Sequence, residues 1–357
     1  MGTPCFDAIT SSNGRLHLPE GYRPYIGPRE THTAVARVAD FFQRGLATAL
    51  NLTRVSAPIV VLSRTGVNDY LSGVEKPISF QVTDMGEPAE VVQSLAKWKR
   101  MALADYGFGH GEGLFTNMNA IRPDERLDNL HSVYVDQWDW ERVISEEERN
   151  LEFLKQTVRT LYALIRDTER QTCQWYPQLP GPYLPEEIHF VHSEELAERY
   201  PDLPPEQREN AICSEKGAVF IIGIGANLKD GKPHGGRAAD YDDWSTENGQ
   251  GRRGLNGDIV VWYPVLRCAF EISSMGIRVD REALLRQLRL KGEEDKVNLR
   301  FHRRLLAGEL PLSIGGGIGQ SRLCMFMLRK AFIGEVQASV WPAEVEELCR
   351  RKQLPLL

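Results

Sequence analysis

Gly315-Gly316-Gly317-Ile318-Gly319-Gln320-Ser321-Arg322 is the stretch on which the reading of this chain turns. It follows the apolar residues Leu312 and Ile314 and leads into a helix-like run through Leu323, Met325, Phe326 and Leu328. Glycines carry no Cβ, so a cluster of them lets a ligand approach the backbone closely. A helix start adds unpaired N–H groups and the positive end of a dipole. Arg322 supplies a permanent, forked cation. Together these features describe a site for an anion, above all the phosphates of a nucleotide. Taken alone, the same residues describe equally well a tight turn followed by a surface arginine, because short glycine motifs recur by chance.

The chain's 357 residues suffice for one large domain or two ordinary ones. A hydrophobic content of 42% and a charged content of 26% belong to a soluble globular protein with ample core. The 43 Lys plus Arg against 49 Asp plus Glu leave a net charge of −6, so there is no basic surplus to grip a nucleic-acid backbone, and no nucleic-acid partner is expected. The cysteines (Cys5, Cys173, Cys213, Cys268, Cys324 and Cys349) are scattered, without a C-x-x-C or a His/Cys cluster at zinc spacing. They read as incidental thiols of a reducing compartment. The N-terminus lacks a signal-peptide core and no apolar run is long enough to span a bilayer. No membrane partner is expected, and the expected location is cytoplasmic.

Residues 1–30 are rich in Gly, Pro, Ser and polar groups and read as an N-terminal extension, either flexible or lying on the surface as a strap. Residues 31–357 read as one catalytic domain. Within it, Val35, Val38, Phe41, Phe42, Leu46 and Leu50 recur at helical spacing. Residues 55–62 read as a strand whose Pro58 belongs at an edge or a strand start. Further strands are expected at 78–83, 91–94, 114–121, 132–140, 188–191, 218–224, 259–263 and 268–279. Ser145 and Glu148 stand at capping-box spacing before the stripe Leu151, Leu154, Val158, Leu161 and Ile165, which predicts a helix packed on the core. Helices are also expected at 193–200, 281–290 and 297–306. Many strands joined by hairpins, with helices grouped beside them, give an α+β fold with a mainly antiparallel sheet flanked by helices.

Polar groups stand where such strands should be bland. The strand period places Gln137 and Asp139 on the face of Val133 and Val135, where a buried carboxylate is costly unless paired; an exposed strand end is the alternative. Arg122-Pro123-Asp124-Glu125 closes a hairpin, and an arginine fixed there can hold a phosphate through two parallel hydrogen bonds. Carboxylates gather at Asp240, Asp242 and Asp243, Asp258 opens a strand, and Glu271 and Ser273 share a face of the next one. Carboxylates within reach of phosphates suit Mg²⁺, which takes one or two of them plus phosphate oxygens. Acidic loops are also ordinary in a chain of this charge. Lys97 and Lys99, on either side of Trp98, read either as solvated charges or as the third cation of a tripod with the two arginines.

These segments resemble a family. Arg122 to Glu125 looks like the arginine-containing second motif of class II aminoacyl-tRNA synthetases, and Gly315 to Arg322 like their third. The helix ending near Leu50, followed by Pro58, resembles the first, a dimer-interface motif. Gln93-Ser94-Leu95-Ala96-Lys97-Trp98-Lys99 is similar to the aspartate-binding Q-S-x-x-x-x-K stretch of the aspartyl subgroup. A nearer resemblance is to ammonia-type asparagine synthetase (aspartate–ammonia ligase). It is carried in order by SLAKWKR (94–100), IRPDE (121–125), LHSVYVDQWDWERV (130–143), IHFVHSEEL (188–196), RYPDL (199–203), DYDDWST (240–246), GLNGDIVVW (254–262), ISSMGIRVD (272–280) and GGGIGQSRL (315–323). The tryptophan-bearing strings among these are highly specific.

That resemblance implies a class II synthetase-like catalytic domain, a homodimer, and ATP-dependent amidation of L-aspartate by ammonia through β-aspartyl-AMP, with AMP and pyrophosphate released and Mg²⁺ as cofactor. It implies Lys99, Arg122, Gln137 and Arg322 as the adenylation centre. Asp258, Ser273, Ser274, Arg278 and Gly319 join Arg122 and Arg322 at the nucleotide. Asp69, Asp139, Asp242, Ser94 and Ser274 surround the amino acid and incoming amine, Asp69 with a catalytic part as well. Asp258 and Glu271 are the metal ligands by analogy with the synthetases. An aspartyl-tRNA synthetase would carry an anticodon-binding barrel, which residues 1–30 cannot build. A regulatory module without turnover would be expected to have lost a charge from the centre, and Lys99, Arg122, Gln137, Asp258 and Arg322 are all present. Cys5 is not placed as an N-terminal nucleophile, so ammonia is the expected nitrogen donor, with glutamine by another route left open.

Overall fold

The computed structural model describes residues 8–68, 75–249 and 251–357. A short hairpin, β1 (Ala8–Thr10) and β2 (His17–Pro19), precedes the long helix α1 (Pro28–Leu50). Pro28 suits the first helical turn, where its missing N–H has no partner to lose. Val38, Phe42, Leu46 and Leu50 form the buried stripe of α1, and Asn51 ends it in the left-handed conformation.

The strand expected at 55–62 forms only in its last part. β3 (Leu52–Arg54) joins the edge of the main sheet, and only β4 (Val60–Leu62) remains beyond Pro58. Proline has no N–H for a ladder, so it lies in the connector between two sheets. β4 pairs with β6 (Glu87–Val91), which pairs with β5 (Ser79–Val82), in a separate three-stranded sheet. Helix α2 (Ala96–Asp105) then leads to the hairpin β7 (Gly113–Ile121) and β8 (Tyr134–Val143).

Helix α3 (Leu151–Trp175) buries the expected stripe but starts later than its capping signal. The Ser145 N–H does donate to Glu148, at 2.9 Å, inside a turn; the helix is capped by Asn150, whose side chain accepts from Phe153. Next come β9 (His189–His192), α4 (Ser193–Arg199), α5 (Pro205–Lys216) and β10 (Ala218–Ile222). A long connection leads to β11 (Asn256–Tyr263) and β12 (Cys268–Ile277). The chain closes with α6 (Arg281–Lys291), α7 (Arg300–Leu306), β13 (Ser313–Gly319), α8 (Gln320–Met327) and α9 (Ala343–Lys352). Helix α5 gave no sequence signal because, of its apolar residues, only Ile212 and Cys213 are buried.

The main sheet runs β3-β7-β8-β13-β12-β11-β10-β9 and is antiparallel except at its two edges, where β3–β7 and β9–β10 are parallel. One face is apolar. Trp138 and Trp140 of β8, Ile314 and Ile318 of β13, and Met275 and Ile277 of β12 are buried there with α1, α3 and α8. The rings of Phe42 and Trp138 lie 4.7 Å apart, which ties α1 to the centre of the sheet. On the opposite face α2 packs on β7 and β8, and α5 on β11 and β12. Removing the fully buried ring, Phe42→Ala, is expected to lower unfolding stability by about 3–5 kcal/mol in urea titrations without changing the sheet signal in circular dichroism.

Candidate active site

The glycine run is not a loop. Residues Gly315 to Gly319 belong to β13, the fourth of the eight strands in the main sheet, between β8 and β12. Register aligns Asp258 of β11, Ser274 of β12, Gly317 of β13, Asp139 of β8 and Thr116 of β7 in one row across the sheet. Cross-strand neighbours share a face, so this row faces away from the apolar core. A Cβ on Gly315 would lie 2.0 Å from Glu141 Oε2, and one on Gly317 would lie 2.6 Å from Gln137 Oε1. The glycines therefore leave β13 bare so that side chains of β8 can lie across it.

A β-bulge shifts the β11–β12 register between Ile259 and Val260. Because of it, Glu271 pairs with Val260 and stands on the face of Asp258 and Ser274, an odd number of residues along β12. Ser273, expected to share that face with Glu271, instead pairs with Ile259 and Ile318, both in the apolar core, and its buried hydroxyl has no hydrogen-bond partner among the described residues.

On the polar face the charges form one alternating chain. Arg237 donates to Asp258, and at 2.8 Å to the Ser274 hydroxyl. Its Nε lies 3.7 Å from Asp242 Oδ2. Arg278 donates to Asp242, and to both oxygens of Glu141 at 2.9–3.1 Å. Lys99 lies 3.9 Å from Glu141 and donates to Asp139, and to the carbonyls of Trp140 (3.1 Å) and Gly316 (3.2 Å). Burial alone would raise Glu141, but Arg278 and Lys99 prevail and hold it below the usual carboxylate range. Burial pushes Asp258 up to about 7 against the pull of Arg237, with Glu271 pushing it further.

Beside this chain lies a cavity of about 210 Å³ lined by Arg122, Gln137, Glu271, Gly319 and Arg322 among others. Arg322 contacts the Glu271 carbonyl (3.2 Å), its carboxylate (3.6 Å) and His131 Nε2 (2.8 Å). Arg122 makes one long hydrogen bond, 3.4 Å to the Gln93 carbonyl; its Nε has no hydrogen-bond partner and the guanidinium no carboxylate partner among the described residues. Ser94 follows directly, its hydroxyl accepting from the Ala96 N–H at the head of α2.

The expected residues thus divide. Arg122, Gln137, Glu271, Gly319 and Arg322 share the cavity, while Asp139, Asp258 and Ser274 stand on the adjoining row and Asp242, from the connection between β10 and β11, is tied to it through Arg237. Lys99 is buried beneath that row and lies outside the cavity lining, joined to it through Asp139, two residues from Gln137 on the same strand face. Arg278, expected at the nucleotide, is buried and committed to Glu141 and Asp242. Asp69 lies outside the described residues. The start of α8 is not an open anion site either. Asp136 takes the Ser321 N–H at 3.0 Å and its hydroxyl at 2.7 Å, so a carboxylate of the chain already occupies that end. Sequence reading missed Arg237, Glu141 and His131. Alternation from Gln137 and Asp139 would have reached Glu141; nothing local marks Arg237 on its long connection.

The architecture is the catalytic fold of class II aminoacyl-tRNA synthetases. The chain superposes on an asparaginyl-tRNA synthetase from Pyrococcus horikoshii complexed with asparaginyl-adenylate with a TM-score of 0.64 at 15% identity, covering 88% of this chain and 70% of that one. An aspartyl-tRNA synthetase from Entamoeba histolytica gives 0.60 at 16% identity, over 86% and 58%. The family model described as aspartate-ammonia ligase matches residues 29–353. Aspartate–ammonia ligases of Bacteroides thetaiotaomicron and Bacillus cytotoxicus are each 54% identical, over 96% and 94% of this chain and 99% of their own length. This chain belongs to the aspartate–ammonia ligase family.

Gly315→Ala tests the bare strand. The added methyl meets Glu141 and the Arg278 guanidinium, 2.6 Å away, and breaking that buried pair is expected to cost about 3–5 kcal/mol, measured as a lowered denaturation midpoint.

Proposed function

We propose that this ligase activates aspartate as β-aspartyl-AMP on the polar face of the main sheet. As a family member it makes asparagine from aspartate and ammonia at the expense of ATP. In the proposed route the aspartate β-carboxylate attacks the α-phosphorus and pyrophosphate leaves. Ammonia then attacks the acyl carbon, and AMP departs with the C–O bond electrons. The observation that carries this reading is the pairing of two arginines from distant segments, Arg122 and Arg322, on one cavity, with Arg122 lacking any carboxylate partner among the described residues. Such a guanidinium fits a phosphate through paired hydrogen bonds.

Each residue has a distinct task. Arg122 and Arg322 take phosphate oxygens as charge develops, with Gln137 and the bare Gly319 beside them. Lys99 holds Asp139 in place at the edge of the amino-acid site and lends its charge from below. Asp139, Asp242, Ser94 and Ser274 surround the aspartate, and Asp69 is assigned to the same group. Asp258 and Glu271 would hold Mg²⁺: they share a face, Glu271 helps to raise the proton affinity of Asp258, and no group of three or more metal-ligating side chains exists among the described residues, so phosphate oxygens would complete the shell. When bound there, the cation supplies charge neutralisation at the phosphates.

The same reading extends to the assembly. Exposed Ile59, Val60, Phe80 and Met85, on and beside the three-stranded sheet, support a homodimer. No helix among the described residues is long and apolar enough to cross a membrane, in keeping with an enzyme of the cytoplasm. Residues 31–357 then form the catalytic domain behind the extension 1–30.

Incubation with ATP, Mg²⁺, aspartate and ammonium should release AMP and pyrophosphate; ADP and phosphate in their place would refute adenylation. Arg322→Ala is expected to slow AMP formation by about a hundredfold or more while leaving the circular dichroism spectrum unchanged. Wild-type turnover in that variant would remove the cavity from the reaction.

A further inference from the structure

Arg237 belongs to none of the sequence motifs, yet it holds the middle of the polar face. It projects from the connection between β10 and β11 onto Asp258 and the Ser274 hydroxyl, with its Nε 3.7 Å from Asp242 and without a hydrogen-bond partner among the described residues. Glu271, on the same face, has its own arginine, Arg322, at 3.6 Å. The two carboxylates assigned to the metal are therefore each covered by an arginine. A carboxylate that keeps an arginine fork on its oxygens has fewer lone pairs free for a divalent cation, and two like charges side by side on one face favour a resident counterion.

Resting on the metal–nucleotide reading above, we propose that Arg237 is the resident counterion of Asp258 in the nucleotide-free enzyme, and that it moves to the phosphates of ATP when metal and nucleotide arrive together. The exchange conserves charge. Arg237 leaves one anion for another, and its partner Asp258 passes from an arginine to a divalent cation. The unpartnered Nε and the 14% exposure of its side chain leave Arg237 room to turn, whereas Arg278, 4% exposed and held by Glu141 and Asp242 together, stays fixed. Arg237 is then a phosphate-binding residue that also keeps the bare metal from settling on Asp258 before substrate.

The test reads metal binding without turnover. Mn²⁺, a paramagnetic stand-in for Mg²⁺, is titrated into the intact enzyme and followed by electron paramagnetic resonance, with and without ATP. Arg237→Ala is expected to bind Mn²⁺ at least about threefold more tightly than wild type in the absence of nucleotide, and to raise the KM for ATP about tenfold in ATP–pyrophosphate exchange. Arg237→Lys, which keeps a charge but no fork, should fall between, and serves as the reading if the alanine variant does not fold. Unchanged or weaker nucleotide-free Mn²⁺ binding in the variants overturns the proposal, as does an unchanged KM for ATP. If Arg322→Ala retains normal AMP formation, the underlying site reading fails instead; a failure confined to Arg237 leaves that reading standing.

Discussion

The buried pairing of Arg278 with Glu141 is the constraint around which the polar face is arranged. Both are nearly or wholly shielded from water, and each charge is tolerable only because the other is held by several hydrogen bonds. Glu141 also binds the Ser313 hydroxyl at 2.7 Å and stands 3.9 Å from Lys99, so one carboxylate sets the position of two cations. Asp242 extends the same chain toward Arg237. A set of isolated charges at this depth would neutralise or recruit water; an alternating chain gives each one a partner of opposite sign in a fixed place.

The glycines of β13 make that chain possible. In the centre of a sheet, glycine ordinarily weakens a strand. Here the loss is offset by room for Glu141 and Gln137 to lie across the neighbouring strand, and by the carbonyl of Gly316, which accepts from Lys99. The apolar face opposite, with Trp138 and Trp140 against α1 and α3, keeps the strands registered while the polar face departs from ordinary packing.

Much of this was legible in the sequence. Period-two alternation placed Gln137 and Asp139 together, and the helical stripes of α1 and α3 gave the layer behind the sheet. Arg122 and Arg322, which line one cavity, stood in two of the motifs that the sequence singled out. What failed did so for local reasons. The helix expected after the glycine run forms as α8, but the strand conformation of the glycines themselves was not legible, because clustered glycines look alike whether looped or extended; only pairing with β8 and β12 decides. Ser273 was placed on the wrong face because a bulge breaks alternation without a sequence mark. Arg237 is joined to Asp258 by tertiary contact alone, across a connection that periodicity does not describe.

That bulge has a consequence for how the chain can vary. Which side of β12 receives Glu271 is decided by the number of residues between it and Ser274, not by what those residues are. Replacement of Ile272 by another apolar side chain leaves the count intact. Loss of Ile272 itself would leave Glu271 opposite Val260 and Ser273 opposite Ile259 in a regular ladder, so the carboxylate would keep its face and only the local bend of β12 would go; the same three-residue spacing without the bulge would turn it into the hydrocarbon layer.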